Sequence, residues 1–314
     1  MKNKCLIVLG IVLSGCFAAK AQQDAMYTQY MFNMLPLNPA YAGSRDVVSM
    51  TALYRDQWRG IQGAPQTMTF SADAPVAKEK VGLGLTIAND RIGVYNTLGV
   101  TGSFAYRIRL KKSTLAFGVS GGFSQFTGNL TNVQTNTEKS ANGFDNAFGE
   151  NISRFMPNVG AGVYYSSDKF YVGFSLPHLL NNDLRPQAPN EIFKQAFRAQ
   201  QFRHAFLMAG YVFKLSASVK LKPSIIWKFV TNAPTQVDVN CNVWLYDKFG
   251  IGLSYRSLDA PSILLEWQID DNWRLGMAYD WSTRLTAYTY GSTELMLRYE
   301  FGYNKAKVVT PRYF

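Results

Sequence analysis

The strongest constraint on how this chain can fold is a recurring alternation of apolar and polar residues over stretches of about ten residues. In the stretch 293–303, the odd positions from Leu295 to Tyr303 are apolar or aromatic, and most of the even positions are charged. Successive side chains of a β-strand point to opposite faces, so such a stretch has one apolar face and one polar face. This pattern predicts an all-β fold and is typical of both soluble sandwiches and membrane barrels.

Strand length and connection length separate these two architectures. Most of the candidate strands have the roughly nine to eleven residues that a tilted strand needs to cross a bilayer. The connections alternate between short ones, such as Lys111-Lys112 and Asp247, and mostly longer ones, such as Thr127–Met156 and Pro177–Phe202. With both termini in the periplasm, every short connection falls on the periplasmic side, as in bacterial outer-membrane barrels. The prediction is a transmembrane antiparallel β-barrel of fourteen strands, near 47–56, 65–75, 80–89, 97–110, 113–126, 157–166, 169–176, 203–214, 217–230, 235–246, 248–257, 261–269, 273–282 and 293–303.

The N-terminus predicts export. A basic head, Met1–Lys4, precedes the apolar run Cys5–Phe17, and Ala19-Lys20-Ala21 offers a signal-peptidase site. Residues 13–16 (Leu-Ser-Gly-Cys) also fit a lipoprotein processing site with Cys16 as the acylated residue, and that alternative stays open. We favour cleavage after Ala21. The predicted organisation is then a signal peptide, a periplasmic lead-in, the barrel and a periplasmic tail: 1–21, 22–46, 47–303 and 304–314.

Charge and cysteine content exclude several classes of protein. The formal net charge is +11, and it falls to +8 when Lys2, Lys4 and Lys20 leave with the signal peptide. The basic residues are scattered and form no run of five, so nucleic acid is not an expected partner. Cys241 is the only cysteine of the mature chain, which excludes an internal disulfide and a cysteine zinc site.

Aromatic residues make up 14% of the chain. In a barrel, tyrosine and tryptophan at strand ends lie at the level of the lipid headgroups and form a belt. We therefore expect an interfacial position for the rings near predicted strand ends: Tyr54, Trp58, Tyr106, Tyr164, Tyr165, Trp244, Tyr246 and Trp281.

Motifs at the two ends of the chain tie it to a family. Residues 27–33 read YTQYMFN, residues 37–43 read LNPAYAG, residues 54–58 read YRDQW, and the chain stops at Pro311-Arg312-Tyr313-Phe314. The sequence resembles the PorP/SprF family of outer-membrane proteins of the type IX secretion and gliding machinery. The resemblance implies a non-catalytic accessory or anchor barrel without cofactors, in the outer membrane of a Gram-negative bacterium. Its implied partners are outer-membrane lipid, other secretion-system proteins of the periplasm and outer membrane, and, in some members, a secreted adhesin.

The segments before and after the barrel, 22–46 and 304–314, are predicted to contact partner proteins. Pro39 removes a backbone donor, so the lead-in is not a wall strand, and we expect it to pack against the barrel rim or to enter the lumen. Phe314 is interpreted as an assembly signal or as part of a docking peptide, against the alternative of a frayed end. Aromatic and arginine side chains commonly anchor interfaces. The candidate partner-docking residues are Tyr30, Phe32, Asn38, Pro39, Tyr41, Pro311, Arg312, Tyr313 and Phe314.

Three motifs resemble catalytic or metal-binding sites, but their sequence context favours a structural role. Residues 118–122 match G-x-S-x-G, but they lie in mid-strand without a following helix, so we expect no catalytic serine. His178 and His204 flank a predicted loop without nearby acidic ligands, so we expect solvated histidines and not a metal site. Asp270-Asp271-Asn272 lacks the glycine and distal glutamate of a calcium loop and predicts a tight turn.

Charges on the polar face of the last five strands predict a lumen that is partly filled by cross-strand ion pairs. The same charges would also suit a diffusion porin or a small-molecule transporter, which is the alternative function, whereas an outer-membrane hydrolase would need a nucleophile and base that the sequence does not cluster. The predicted lumenal charges are Asp238, Arg256, Glu266, Arg274, Asp280, Glu294, Arg298 and Glu300.

Overall fold

A computed structural model describes residues 26–132, 151–182, 203–230, 234–257, 260–283 and 287–302. The predicted signal-peptidase site at Ala21, the alternative lipidation site at Cys16 and the tail 304–314 lie outside these residues, so those predictions stay predictions.

The described chain is almost entirely β-sheet. β8 and β9 form one wall strand that is interrupted at Val212, so the fifteen segments build fourteen wall strands. This count and the strand positions confirm the prediction. The strands are β1 (Val48–Asp56), β2 (Gln66–Val76), β3 (Val81–Ile92), β4 (Tyr95–Arg109), β5 (Ser113–Gly128), β6 (Ile152–Ser167), β7 (Phe170–Leu176), β8 (His204–Tyr211), β9 (Phe213–Lys214), β10 (Val219–Val230), β11 (Gln236–Leu245), β12 (Phe249–Arg256), β13 (Pro261–Gln268), β14 (Trp273–Asp280) and β15 (Ser292–Phe301).

The sheet closes on itself. Each wall strand pairs antiparallel with its neighbours along the chain, and β15 pairs with β1 from Val48↔Phe301 to Asp56↔Thr293. β10 also pairs with β11, which completes the circle. Closure leaves no unpaired sheet edge, and this is how a β-structure satisfies its backbone groups in a bilayer.

The two faces of the wall differ as the alternation requires. On β15, Leu295 and Leu297 are exposed on the outer face, whereas Glu294 and Arg298 are each only 1% exposed inside. The other strands repeat the pattern, with Met277 of β14 outside. The outer face is thus an apolar surface, and the polar positions face the lumen. Among the described residues, no helix is long and apolar enough to cross a membrane.

Two rings of the expected belt are misplaced. Tyr164 and Trp244 are each 1% exposed, because their strand positions point into the lumen, so the expectation of an interfacial position is wrong for both. Tyr106 and Trp281, in contrast, are about half exposed on the outside. The position along a strand places a ring at the right height, but the parity of the residue decides which face it occupies.

The lead-in is inside the barrel. Residues 26–46, called the plug from here on, form two short 3-10 helices, η1 (Tyr30–Phe32) and η2 (Pro39–Tyr41), and nearly all of its residues are buried. Asn38 caps η2, since its side-chain oxygen accepts from Ala40 N at 3.0 Å. The prediction of a periplasmic lead-in is therefore wrong for 26–46. Of the two placements considered, rim and lumen, the structure has the lumen.

Candidate functional site: a plugged lumen

Glycines of the wall make the groove in which the plug lies. Gly82, Gly118, Gly162 and Gly276 come from four different strands, and a Cβ at any of them would overlap with plug atoms. Their partners are, in the same order, Ala42, Ala40, Asn38 and Gln29. Gly118 begins the G-x-S-x-G sequence, so this motif provides close contact with η2 instead of a nucleophile turn. A glycine allows such a close backbone approach because it has no side chain.

A buried charge cluster holds the outer end of the plug. Arg55 of β1 contacts Glu294 and lies 2.8 Å from Asp280, and all three side chains are at least 90% buried. Thr28 donates its hydroxyl to Asp280 at 2.8 Å and its backbone N–H to Glu294 at 2.6 Å, and Gln29 N donates to Glu294 at 3.0 Å. The plug thus supplies the donors that these two buried carboxylates need.

A second ion pair of the wall contacts Tyr27, the plug residue that precedes Thr28. Arg256 of β12 and Asp238 of β11 are register partners, and their Nε and Oδ2 atoms are 2.8 Å apart. Arg256 also donates from Nη2 to the backbone oxygen of Tyr27 at 3.2 Å. At these ends β1, β14 and β15 meet the long connections 57–65 and 281–291, which the predicted orientation places on the outer side of the membrane. In that orientation, Tyr27 and Thr28 lie in the outer half of the lumen.

The opposite end of the plug is held near the short connections. Arg45 pairs with Glu300 of β15, and Gly43 N donates to Asp73 Oδ2 at 2.7 Å. Asp46 pairs with Arg107 and, at 2.8 Å, with Arg109 at the end of β4. The plug therefore runs through the lumen from the outer half to the periplasmic end and is fixed at both.

Aromatic side chains pack the middle of the plug against the wall. The ring of Tyr41 meets that of Tyr164 edge-on at 5.5 Å between centroids, and Tyr164 stacks on Tyr171 at 5.8 Å. From β10, the Lys222 ammonium lies 5.4 Å from the centroid of Phe32 and 5.2 Å from that of Trp244. A cation over an aromatic face is attracted by the ring quadrupole, more strongly when water is excluded.

All eight predicted lumenal charges lie on the inner face of the wall. Asp238 with Arg256 forms an expected cross-strand pair, as does Glu266 with Arg274, and Glu294 pairs with its register partner Arg55 on β1. Asp280, Glu294 and Glu300 also contact the plug, which the prediction did not include. Deeper in the lumen, Arg274 lies 4.8 Å from the ring of Trp244 and 3.9 Å from Glu266, while Arg298 donates to Thr51 at 3.1 Å.

The five lead-in residues that were expected to dock a partner are buried. Tyr30, Phe32 and Tyr41 are 1–2% exposed, Asn38 is 0% exposed, and Pro39 is buried with them. Docking through these five residues stays a prediction, and their burial argues against it. Pro311, Arg312, Tyr313 and Phe314 lie outside the described residues.

Sequence reasoning missed several residues of the site. Arg55 has the same parity in β1 as the buried Thr51 and Leu53, so alternation could have placed it inside. Asp73 could have been found in the same way in β2. Thr28 and Arg45, in contrast, lie in a segment without regular periodicity, and no signal in the sequence pairs them with a wall residue.

The two histidines do not behave alike. His204 is fully buried at the start of β8 and stacks on Phe206 with 6.2 Å between ring centroids, so the expectation of a solvated histidine is wrong there. His178 is partly buried, and its Nδ1 lies 2.6 Å from Asn158 Nδ2. Within the described part of the chain, no three histidine, cysteine or acidic residues form a group that could hold a metal ion.

Comparison with known proteins gives one family and several barrels of similar fold. A family model described as "Type IX secretion system membrane protein PorP/SprF" matches residues 19–299. The toluene transporter TbuX of Ralstonia pickettii is similar over 88% of this chain and 93% of its own, with 10% identity and a TM-score of 0.49. A Pseudomonas aeruginosa FadL homologue is similar over 87% and 94%, with 12% identity and a TM-score of 0.48. At this level of similarity no function is transferred, and no curated protein matches the chain.

Proposed function

The chain belongs to the PorP/SprF family of type IX secretion system membrane proteins, and we propose that it works there as a closed, non-catalytic anchor of the outer membrane. In this role it docks periplasmic machinery, secreted surface adhesins or both through its ends and loops. The observation that carries the proposal is the plug. A barrel whose lumen is filled and held at both ends acts through its surfaces and not through a free channel.

The outer surface of the wall supports placement in a membrane. Large apolar side chains stand exposed around the barrel, for example Leu83 on β3, Val119 on β5, Ile251 on β12 and Leu295 on β15. A soluble protein rarely exposes such a continuous apolar surface, whereas lipid covers it without cost. Family membership and this surface together favour the outer membrane as the location.

The C-terminal tail is the preferred docking element, because the plug residues are buried. Deletion of 305–314 should leave a folded, heat-modifiable barrel in the outer membrane and should abolish co-purification of its periplasmic partner. Surface display of the dependent cargo should fall with it. Barrel amount, heat-modifiability and co-purifying proteins are measured in the same strain, so that docking and assembly are separated.

Each other outcome of this deletion has a definite meaning. If the truncated barrel does not reach the membrane, Phe314 is an assembly signal and the docking proposal loses its support. If the barrel assembles and keeps its partner, the tail is passive and docking must involve another surface.

Topology is tested by insertion of an epitope. The short connections should face the periplasm, so an epitope at Lys112 should stay hidden on intact cells, while one at Asn142 should be labelled. Lys112 lies in the short turn between β4 and β5, and Asn142 lies outside the described residues. Labelling at Lys112 would reverse the orientation on which the docking proposal depends.

The alternative of a diffusion porin or small-molecule transporter is opposed by the same plug. A porin keeps a water-filled lumen, and the lumen of this barrel contains two helical turns and a buried aromatic cluster. The wild-type protein should therefore show little or no steady conductance in planar bilayers. Stable single-channel steps of porin size from the intact protein would favour the transporter.

A further inference from the structure

A cavity of about 220 Å³ lies between the plug and the inner face of β2 to β6. It reaches Asp90 and Ile92 at the end of β3, where the two-residue turn Gly93-Val94 leads into β4 on the same side of the barrel as the longer connection 57–65. It therefore extends to the outer end of the lumen. On the plug side it is lined by Leu35, Pro36 and Leu37.

The wall side of this cavity is lined by hydroxyl groups. Threonine and serine side chains from four neighbouring strands face it: Thr67, Thr86, Thr97, Thr101, Ser103 and Ser120. Among the described residues, no lysine or arginine lines the cavity, and the ionisable groups of its lining are Tyr27, Asp90 and His178. Asp90 is hydrogen-bonded by the Thr67 hydroxyl at 2.6 Å. A lining without a cation disfavours phosphate, carboxylate and other anionic ligands.

Two polar atoms of the lining are buried without a protein partner. Thr86 is 7% exposed and Asn158 is 8% exposed, and neither Thr86 Oγ1 nor Asn158 Oδ1 has a hydrogen bond from the chain. The Asn158 amide is oriented by its donor bond to Pro177 O at 2.7 Å. A buried polar atom without a partner costs free energy, so each of these atoms favours a ligand that donates to it.

From these observations we propose that the cavity binds one neutral sugar unit, either free or at the end of a glycan, from the outer side. Hydroxyls both donate and accept, which matches the hydroxyl edge of a sugar ring. The leucine and proline side chains of the plug suit the apolar C–H face of the same ring. The volume is below the roughly 300 Å³ at which drug-sized sites begin, so it suits a single ring.

A polypeptide end fits this site less well. A C-terminal carboxylate would need a cation in the lining, and a free N-terminal ammonium would compete with Thr67 for Asp90. The sugar proposal stands apart from the proposed anchor function, because a barrel can anchor partners whether or not this pocket is filled.

The test uses the full-length barrel purified in lauryldimethylamine oxide, because many other detergents carry sugar headgroups that would fill the site. The probes are the methyl glycosides of glucose, galactose, mannose and N-acetylglucosamine, compared with inorganic phosphate and N-acetyl-alanyl-alanine amide. Binding is followed by saturation-transfer NMR and calorimetric titration. At least one sugar should bind, while phosphate and the capped peptide should not.

Variants connect binding to this cavity. Thr86→Val removes one hydroxyl at nearly constant shape and should weaken sugar binding about 2- to 10-fold. Ala88→Leu places a larger side chain in the cavity and should abolish binding. Thr293→Val makes the same change on the outer face of β15 and should leave binding unchanged. Ser124→Ala, at a half-buried lining position, takes the place of Thr86→Val if that variant does not fold.

Three results would overturn the proposal. The first is that none of the four glycosides binds to a barrel that is folded and heat-modifiable. The second is that the capped peptide or phosphate binds with the same dependence on Thr86. The third is sugar binding that survives Ala88→Leu, since the sugar would then occupy a different place.

Discussion

The two halves of the lumen use different chemistry against the same plug. The half built by β10 to β15 and β1 carries buried charges, and these grip the plug at its outer end through Arg55, Asp280 and Glu294. The half built by β2 to β7, the glycine half, presents mainly glycines and hydroxyls to the middle of the plug. Its charged contacts with the plug, from Asp73, Arg107 and Arg109, lie at the periplasmic end. Along the middle, the plug touches the wall closely at the glycines and leaves a cavity at the hydroxyls. The charged half thus attaches the outer end of the plug, and the glycine half provides fit and space along its middle.

The largest effect is expected in the charged half. Arg55→Met leaves Asp280 and Glu294 buried without their cation, and breaking a buried ion pair from one side costs about 3–5 kcal/mol. We expect a lower unfolding midpoint in detergent and cleavage of residues 26–46 by added protease. The control is Arg59→Met, whose pair with Asp56 spans 3.7 Å at a side chain that is 52% exposed, so its loss should cost only about 0–1 kcal/mol. Equal effects of the two substitutions would show that the charged half does not hold the plug.

The second effect concerns the outer surface of the barrel, which is apolar on the strands of both halves. Met277 is 47% exposed on the outer face of β14, so Met277→Arg should cost about 2–4 kcal/mol at mid-bilayer depth, and Met277→Leu should cost little. The midpoint of urea unfolding in lipid vesicles measures both. Alternation alone predicts that Ala278→Arg, on the inner face, costs less than an arginine on the outer face. Ala278 is 6% exposed in the cluster that includes the plug, so that prediction is withdrawn. A tolerated arginine at Met277 would place this face away from lipid.

A third prediction concerns fit in the glycine half, where Gly118 of β5 faces the plug and Gly121 of the same strand faces outward and serves as the control. Gly118→Ala should cost about 1–3 kcal/mol, because its Cβ would overlap with Ala40 in a tightly packed contact. Gly121→Ala should be neutral or stabilising, since no atom lies within 4 Å of the added Cβ and alanine restricts the unfolded chain more than glycine. The unfolding midpoints of the two variants, each compared with that of the wild-type protein, test this prediction. A larger loss at Gly121 would contradict the role given to the groove.

The wall was predictable and the plug was not, for physical reasons that particular residues illustrate. A strand in a barrel sees lipid on one side and the lumen on the other, so parity alone places Leu295 outside and Glu294 inside. The same parity would have put Trp244 in the lumen with its neighbours Asn240 and Asn242, but a tryptophan there makes sense only when something fills the lumen. The plug has no regular alternation of apolar and polar residues, and the wall residues that it contacts lie far away in the sequence.

The glycines show why the site was harder to predict than the fold. Parity places Gly118 on the lumenal face of β5 and Gly121 on the outer face, but only the path of the plug makes Gly118 a close contact. Arg45 and Glu300 are similarly brought together by that path, across most of the chain length. Local sequence determines which face a residue takes. The contacts across the lumen depend on where an irregular segment runs, and propensity does not specify that.

The smallest predicted effect tests the glycine half, to which β7 belongs. Ser175 of β7 is fully buried and donates its hydroxyl to the backbone oxygen of Leu37 at 2.7 Å. Ser175→Ala removes one neutral hydrogen bond and should cost about 0.5–1.5 kcal/mol, several-fold less than Arg55→Met. Because Leu37 also lines the cavity, the local loss should appear as faster amide hydrogen exchange in the plug near Leu37, with exchange near Thr28 unchanged. If exchange rises equally along the plug, the two halves hold it as one unit, and the contrast between charged attachment and neutral fit disappears.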